Sequence, residues 1–422
     1  MMMIKLAFRN IFRHRARTLV TLSTILFGCT VLIFVGGFFE NIFWQMRTTL
    51  IQSQTGHLQV YKKGFFKNGK TDPYAYFIQD LPGVEKIIKE IPEVDYVTGR
   101  IQFAGLLSTG ETTVSFYGQG IDPTREKTML ASEVKDLKKL YHRSDMGVPV
   151  VEQGVGLNGN DKNQVLIARG LAATMEARPG MNVTLLTDTV NGSSNAMDMN
   201  TKGIFYTSSK SFDDIFLRVP LPTAQRLLNT DSVQSLVVYL RQTKDTGRVK
   251  EKLEAIFQKK HLDLEVMRWE EVTDFYNKTV LLLNMFHSIM RVVVSIVVIL
   301  GVFNTMNMAM MERISEIGTL MAMGMKRKGI LLLFVIEGVF LGMIGGLLGL
   351  TFGSVIVRMI AMVGIIMPPA PGGTIAWLSE PSIVPGVLFT TFILCVAIGA
   401  IASLFPAYKA SRLVITDALR YR

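Results

Sequence analysis

Four long apolar runs, separated by polar stretches, set the pattern of this chain. Residues 18–39 carry no charged side chain over 22 positions, 292–311 none over 20, and 383–408 none over 26. Residues 330–357 carry a single charge in 28, Glu337. A helix needs about 20 apolar residues to cross the hydrocarbon core of a bilayer, so each run is predicted to be a membrane span. The first run is longer than the roughly 7–15 apolar residues of a secretory leader, and no small-x-small cleavage pattern follows it. It is therefore expected to remain as an uncleaved span.

Between the first and second runs the period changes. Residues 57–61, 96–107, 112–120, 165–168, 183–186, 235–240 and 262–267 have strand character, several by alternation of apolar and polar positions. Helical spacing occupies 84–90, 171–176, 222–228 and 246–259, with breaks at Leu81-Pro82-Gly83 and Arg178-Pro179-Gly180. Strands alternating with helices predict a mixed α/β layer domain. The polar stretch 187–202 is expected to be a long exposed loop or hairpin tip, and 271–291 a helical stalk leading into the second span. The predicted fold class is a membrane protein with four transmembrane α-helices, one then three, and a large extracytoplasmic α/β domain inserted between the first and second.

Charge orients this layout. Lys5, Arg9, Arg13, Arg15 and Arg17 precede the first run, Arg313, Lys326, Arg327 and Lys328 lie between the second and third, and Lys409, Arg412, Arg420 and Arg422 close the chain. The connector 367–382 has no Lys or Arg. Positive-inside bias puts both termini and the second connector in the cytoplasm, and the α/β domain outside. The expected segments are 1–17 (a basic amphipathic helix), 18–40 (first span), 41–278 (external domain and stalk) and 279–310 (second span). There follow 311–329 (inner connector), 330–366 (third span), 367–382 (outer loop), 383–408 (fourth span) and 409–422 (inner tail). The net charge of +11 is thus spent on orientation beside apolar runs, and nucleic acid is not an expected partner.

The residues of catalysis are scattered. Cys29 and Cys395 both fall inside apolar runs, which excludes a disulfide framework. His14, His57, His142, His261 and His287 are far apart and form no metal-ligand spacing, and no nucleophile elbow is present. Gly64-Phe65-Phe66-Lys67-Asn68-Gly69-Lys70-Thr71 matches the phosphate-loop pattern letter for letter. A phosphate cradle needs a helix that begins at Gly-Lys-Thr, whereas Asp72-Pro73 follows here, so a basic turn is expected. Met306, Met308, Met310 and Met311 are read as adaptable packing rather than a soft-metal track. No enzyme, cofactor or metal site is expected in this chain.

What remains is mechanical. Ile4, Ala7, Phe8, Ile11 and Phe12 share one helical arc beside Lys5, Arg9 and Arg13, which suits an interfacial helix or a plain basic flank. The third run repeats glycine at i, i+4 spacing twice, as Gly338, Gly342, Gly346 and as Gly345, Gly349, Gly353. Such spacing permits close helix approach, within the chain or between chains. Glu337 is costly in lipid and is expected to bond a neighbouring helix. In the inner connector, Ile314, Ile317, Met321 and Met325 lie along one helical side with Glu312, Arg313 and Glu316 beside them. A helix this short is either a surface connector or a docking element.

Glu312, Arg313, Glu316, Ile317, Gly318, Leu320, Ala322 and Gly324 together resemble the E-R-x-x-E-I-G-x-L-x-A-x-G coupling segment of the FtsX/MacB-like permeases of ABC transporters. The opening from Arg9 to Leu19, Gly56-His57-Leu58-Gln59-Val60, Gly120-Ile121-Asp122-Pro123, residues 221–228 and 406–412, and Asp417-Ala418-Leu419-Arg420 are similar to the same family. The resemblance implies one span, an external domain, then three spans. It implies a separate cytoplasmic ABC ATPase that holds the ATP and magnesium and docks on the connector. It also implies a second permease protomer, identical or paralogous, in the bacterial inner membrane. Size and order look nearest to LolC/LolE-like lipoprotein-releasing permeases, which implies lipoprotein or other amphipathic cargo drawn from membrane lipid. On that reading a periplasmic carrier would meet a hook loop, for which 187–202 is the candidate, with Asn191, Gly192, Asn195, Met197 and Met199. A MacB-type efflux permease and an FtsX-type activator of an external hydrolase are the alternatives.

Overall fold

The structure, a computed structural model, describes residues 6, 7, 9, 13, 15–69, 71–126, 150–207, 209–368, 374, 376–415 and 418. The opening amphipathic segment, Lys70 and the closing Asp417–Arg420 motif therefore lie wholly or mostly outside the described residues.

Among the described residues, four helices are long and apolar enough to cross a membrane: Arg15–Thr55, Tyr276–Glu312, Arg327–Val363 and Pro385–Ser411. The first is α-helical over Arg15–Leu50 and ends in a π-helical turn, Ile51–Thr55. The chain divides into two compact units, one of Met1–Trp44, Thr279–Ile365 and Ser379–Arg422, the other of Gln45–Lys278 and Ile366–Leu378. Part of the expected outer loop thus belongs to the globular unit. There the Leu378 carbonyl accepts from Gln45 at 2.6 Å, and the Thr374 hydroxyl donates to the Thr207 carbonyl.

Within the helical unit, the two glycine series of the third helix serve two different neighbours. A Cβ on Gly338 would lie 2.4 Å from the Gly399 carbonyl oxygen, and one on Gly342 would lie 2.7 Å from that of Cys395. A Cβ on Gly345 would meet Ile25 at 2.9 Å, and one on Gly349 would meet Cys29 at 2.5 Å. One stripe lets the backbone of the fourth helix approach, and the other receives side chains of the first. In a bilayer this close packing stands in for the hydrophobic driving force that lipid removes.

Among the described residues the globular unit is built on a ten-stranded mixed sheet: β1 (Leu58–Lys62), β2 (Val94–Ser108), β3 (Thr113–Ile121), β4 (Val150–Gly154), β5 (Gln164–Ala168), β6 (Asn182–Asp188), β7 (Ser194–Tyr206), β8 (Phe216–Pro220), β9 (Ser235–Leu240) and β10 (Leu264–Arg268). The strand order is β10-β1-β9-β2-β3-β8-β5-β7-β4, with β6 pairing both β2 and β7. The long β2 pairs β9 along its first half and β3 along its second. Helices Leu81–Lys89, Leu221–Leu228 and Thr246–Lys259 contribute Val84, Ile88, Leu227, Leu228, Val249, Leu253 and Phe257 to one core with the strands. Asp80 caps the first of these helices by accepting from the Gly83 amide at 2.9 Å.

At 187–202 the structure shows a hairpin whose exposed tip is short rather than long. These residues form the end of β6, a tight turn at 189–193 and most of β7. Leu185 pairs with Met197 and Val183 with Met199, while the Thr184 hydroxyl donates to Asp198 at 2.7 Å on the outer side. Polar residues on one face of an antiparallel hairpin make a strand look like a loop when apolar partners are sparse.

Candidate functional site

The connector between the second and third membrane helices turns at Arg313 and forms a nine-residue helix, Ile314–Ala322. It ends at Gly324, whose φ of 96° falls in the left-handed region and suits a residue without Cβ. Ile314 and Ile317 are buried, and Leu320, Met321 and Met325 pack partly against the same core of Ile330, Phe334, Ala407 and Ala410. The apolar side of this helix is therefore spent on its own bundle. Ile317 and Leu320, expected as the docking side, face inward, and Gly318 is buried with them. At a length below ten residues the helix cannot hold its shape alone, so it borrows the core beneath it. Its outward stripe is Glu312, Ser315, Thr319, Ala322 and Met323, with Gly324 beyond; Met323 is 72% exposed.

Charged residues fix the helix in register. Arg313 is buried, and its Nη1 donates to both carboxylate oxygens of Glu337 at 3.1 Å. Its Nε donates to Glu316 at 3.2 Å, and its guanidinium lies 5.5 Å over the Phe334 ring. Arg13 reaches the other oxygen of Glu316 at 2.7 Å, and Arg17 pairs with Glu312. Arg313 is thus an interior residue, although the resemblance placed it in the segment on which an ATPase docks. Glu337 makes the inter-helix bond expected of it, and a buried carboxylate between spans is neutralised by a cation. The partnership of Arg313, Arg13 and Arg17 was missed, although a lone acid in one span and a lone base at the end of another are its signal.

The other expected sites fare differently. Asn191 and Gly192 lie exposed in the turn at 189–193, but the Asn195 amide donates to the Leu227 carbonyl at 2.8 Å and Met199 is buried. Met197 packs against the sheet core, so only the two turn residues are free to meet a partner. In the phosphate-loop match a single helical turn, Phe65–Asn68, begins directly after Gly64. Residues 71–73 are not helical, so no helix N-terminus opens at Thr71.

Comparison with known proteins follows the same division. Residues 18–256 match the MacB-like periplasmic core domain family, and residues 288–415 match the FtsX-like permease C-terminal family. An uncharacterized ABC transporter permease of Methanocaldococcus jannaschii is 24% identical over 99% of this chain and 97% of its own length. The macrolide export ATP-binding/permease protein MacB of Acinetobacter baylyi is 25% identical over 96% of this chain and 57% of its own. MacB of Bdellovibrio bacteriovorus is 29% identical over 50% of this chain and 31% of its own. The chain therefore spans the archaeal relative almost fully and a third to just over half of these MacB proteins. Among solved structures, the periplasmic region of MacB from Actinobacillus actinomycetemcomitans aligns with a TM-score of 0.34 at 15% identity, covering 53% of this chain and 92% of that one.

Proposed function

The chain belongs to the MacB/FtsX-type ABC transporter permeases, and from that premise we propose that it is the membrane subunit through which a separate cytoplasmic ATPase moves the globular domain. In this reading the domain lies outside the cytoplasm, both termini lie inside, and the cargo is lipoprotein or a similarly amphipathic molecule taken from the membrane. A second protomer completes the assembly. The exposed apolar side of the second helix, including Leu281, Met285, Ile289, Val292 and Ile296, supports contact with lipid and with that protomer.

The observation that carries the reading is the connector helix. It is fastened to the bundle by buried apolar residues and by Arg313–Glu337, yet it offers an outward stripe of Ser315, Thr319, Ala322 and Met323. A stripe of small side chains ending in one exposed methionine suits a cleft on a partner, and a fastened helix passes on what the partner does. The relatives named as macrolide exporters favour a second reading for the cargo, a small amphipathic compound moved by the same device.

Burying Met323 against a partner is worth about 1.5–3 kcal/mol, or roughly tenfold or more in affinity. Met323→Asp and Thr319→Arg should therefore cut recovery of an ABC ATPase, identified by mass spectrometry, at least tenfold from solubilised membranes. Insertion and thermal stability should be unchanged, because both side chains are exposed. Undiminished ATPase recovery with both variants would sink the docking reading. Mass spectrometry of material bound to the purified complex would separate lipoprotein from small-molecule cargo.

A further inference from the structure

The globular unit holds the end of the first helix in an unusual way. A helix leaves its last carbonyls without intrahelical partners, and the negative end of its dipole lies there. Here three consecutive carbonyls at that end are each taken by a side chain of the sheet. Ser53 accepts from Arg218 Nη2 at 2.8 Å, Gln54 accepts from Arg100 Nη1, and Thr55 accepts from Gln59 Nε2 at 2.8 Å. The three donors come from β8, β2 and β1 and are all buried. Arg100 is braced by Glu126 at 2.9 and 3.0 Å and by the Tyr239 hydroxyl at 2.9 Å, and the Tyr61 hydroxyl donates to Gln59.

The backbone closes the same joint. The Gly56 amide bonds the Ile51 carbonyl at 2.9 Å with φ at 63°, and a Cβ there would lie 2.3 Å from Val237. The His57 amide then bonds the Val238 carbonyl at 3.0 Å, so the chain passes from helix end to sheet with no slack. Burial pushes the Arg218 guanidinium down to about 10, with the Glu126 charge opposing, and it stays cationic at neutral pH. Two cations complement the negative end of a helix, and among the described residues Glu126 is the carboxylate that pairs with one of them, Arg100.

We infer that Gln59, Arg100 and Arg218 form a socket that caps the end of the first helix, so that this end and the sheet move as one body. The inference rests on the function proposed above only for its consequence: the socket would be the joint through which motion of the first helix reaches the domain. The three are positioning residues that act through the helix end.

The test uses the full chain with its ATPase in lipid vesicles, with Cys29 and Cys395 replaced by Ala and a nitroxide on Asn191→Cys. Amide exchange at residues 53–57 should rise at least tenfold in Arg218→Met and much less in Arg218→Lys, while β5 and β7 keep their protection. Unchanged exchange in Arg218→Met would overturn the socket. The label spectrum should change between ATP and ADP in the parent and in Arg218→Lys. In Arg218→Met it should not change, although ATP hydrolysis persists. A full ATP-dependent change in Arg218→Met, with exchange raised, would overturn its role as the joint. No change in the parent would overturn the proposed function instead, and the exchange measurement would still decide the socket.

Discussion

The helical unit and the globular unit each bury arginine, and they neutralise it by opposite means. In the helices Arg313 is answered by acidic side chains, with Nη1 on both oxygens of Glu337 at 3.1 Å and Nε on Glu316 at 3.2 Å. In the globular unit Arg100 and Arg218 share the neighbourhood of Glu126, and backbone carbonyls at a helix end accept from both. The difference follows from the surroundings. Between membrane helices backbone carbonyls are occupied within their own helix, so only another side chain can answer a charge. A helix that ends inside a sheet domain offers free carbonyls and a dipole, so guanidinium groups can be held with fewer acids. The lesson is that a buried cation should be judged by the local supply of acceptors and not by the count of acids.

The sharpest way to break this comparison is to remove one member of each charged set. Glu337→Leu removes the buried counter-charge of Arg313 and leaves it the partly exposed Glu316; loss of one partner of a buried pair costs about 3–5 kcal/mol. Arg313→Leu should cost a similar amount. The double substitution should return to within about 1–2 kcal/mol of the parent, because an apolar pair of similar volume avoids the desolvation cost. Thermal unfolding of the purified chain in detergent measures all three. If the single and double variants lose equal stability, the pair is not the neutralising unit described here.

A second test sharpens the contrast on the globular side, where acceptors include a histidine. His57 is buried; its Nδ1 accepts from the Leu240 amide at 3.1 Å, and its Nε2 lies 3.1 Å from the Thr243 hydroxyl. Burial pushes His57 down to about 4, against a smaller opposing pull from Asp95. The folded form therefore resists a proton that the unfolded form takes at its ordinary value near 6.5. Stability is full above that value and is lost as pH falls toward 4. Relative to His57→Gln, the parent should lose about 2 kcal/mol between neutral pH and about pH 5. Asp213 works in the opposite sense, since burial raises it to about 6 and favours the acidified fold. Comparison with the His57 variant cancels that contribution. A stability difference that stays constant with pH would remove His57 from the set of buried acceptors.

Much of this architecture was legible along the chain, for identifiable reasons. The four spans were readable because lipid demands uninterrupted apolar length, and the paired glycine stripes because helix packing in lipid demands small residues at fixed spacing. The strands at 57–61, 165–168 and 235–240 were readable because they are apolar on a simple period. The return strand of the hairpin at 182–206 was not, since its outer face is polar and its inner face relies on Met197 and Met199. The direction of the connector helix was also hidden. Ile317 marks an apolar side, but spacing alone does not say whether that side meets a partner or the chain's own Phe334. The socket was hidden for a similar reason. Gln59, Arg100 and Arg218 lie on three strands far apart in sequence, and each alone reads as an ordinary polar strand position.

The smallest effect belongs to the exposed rim of the charge network. Arg13 reaches Glu316 at 2.7 Å, yet its side chain is 63% exposed and that of Glu316 is 39% exposed. Water and salt screen such a pair, so Arg13→Ala should cost no more than about 1 kcal/mol. That is several-fold less than Glu337→Leu, although both changes touch the same chain of contacts through Glu316 and Arg313. Added salt should shrink the Arg13 effect, since exposed charges are screened over about 10 Å at 0.1 M. It should leave the Glu337 effect unchanged, because no ions reach the buried pair. Thermal unfolding of both variants at low and high salt tests the ordering. An Arg13→Ala loss that matched Glu337→Leu and ignored salt would mean that the rim, and not the buried pair, holds the connector helix in place.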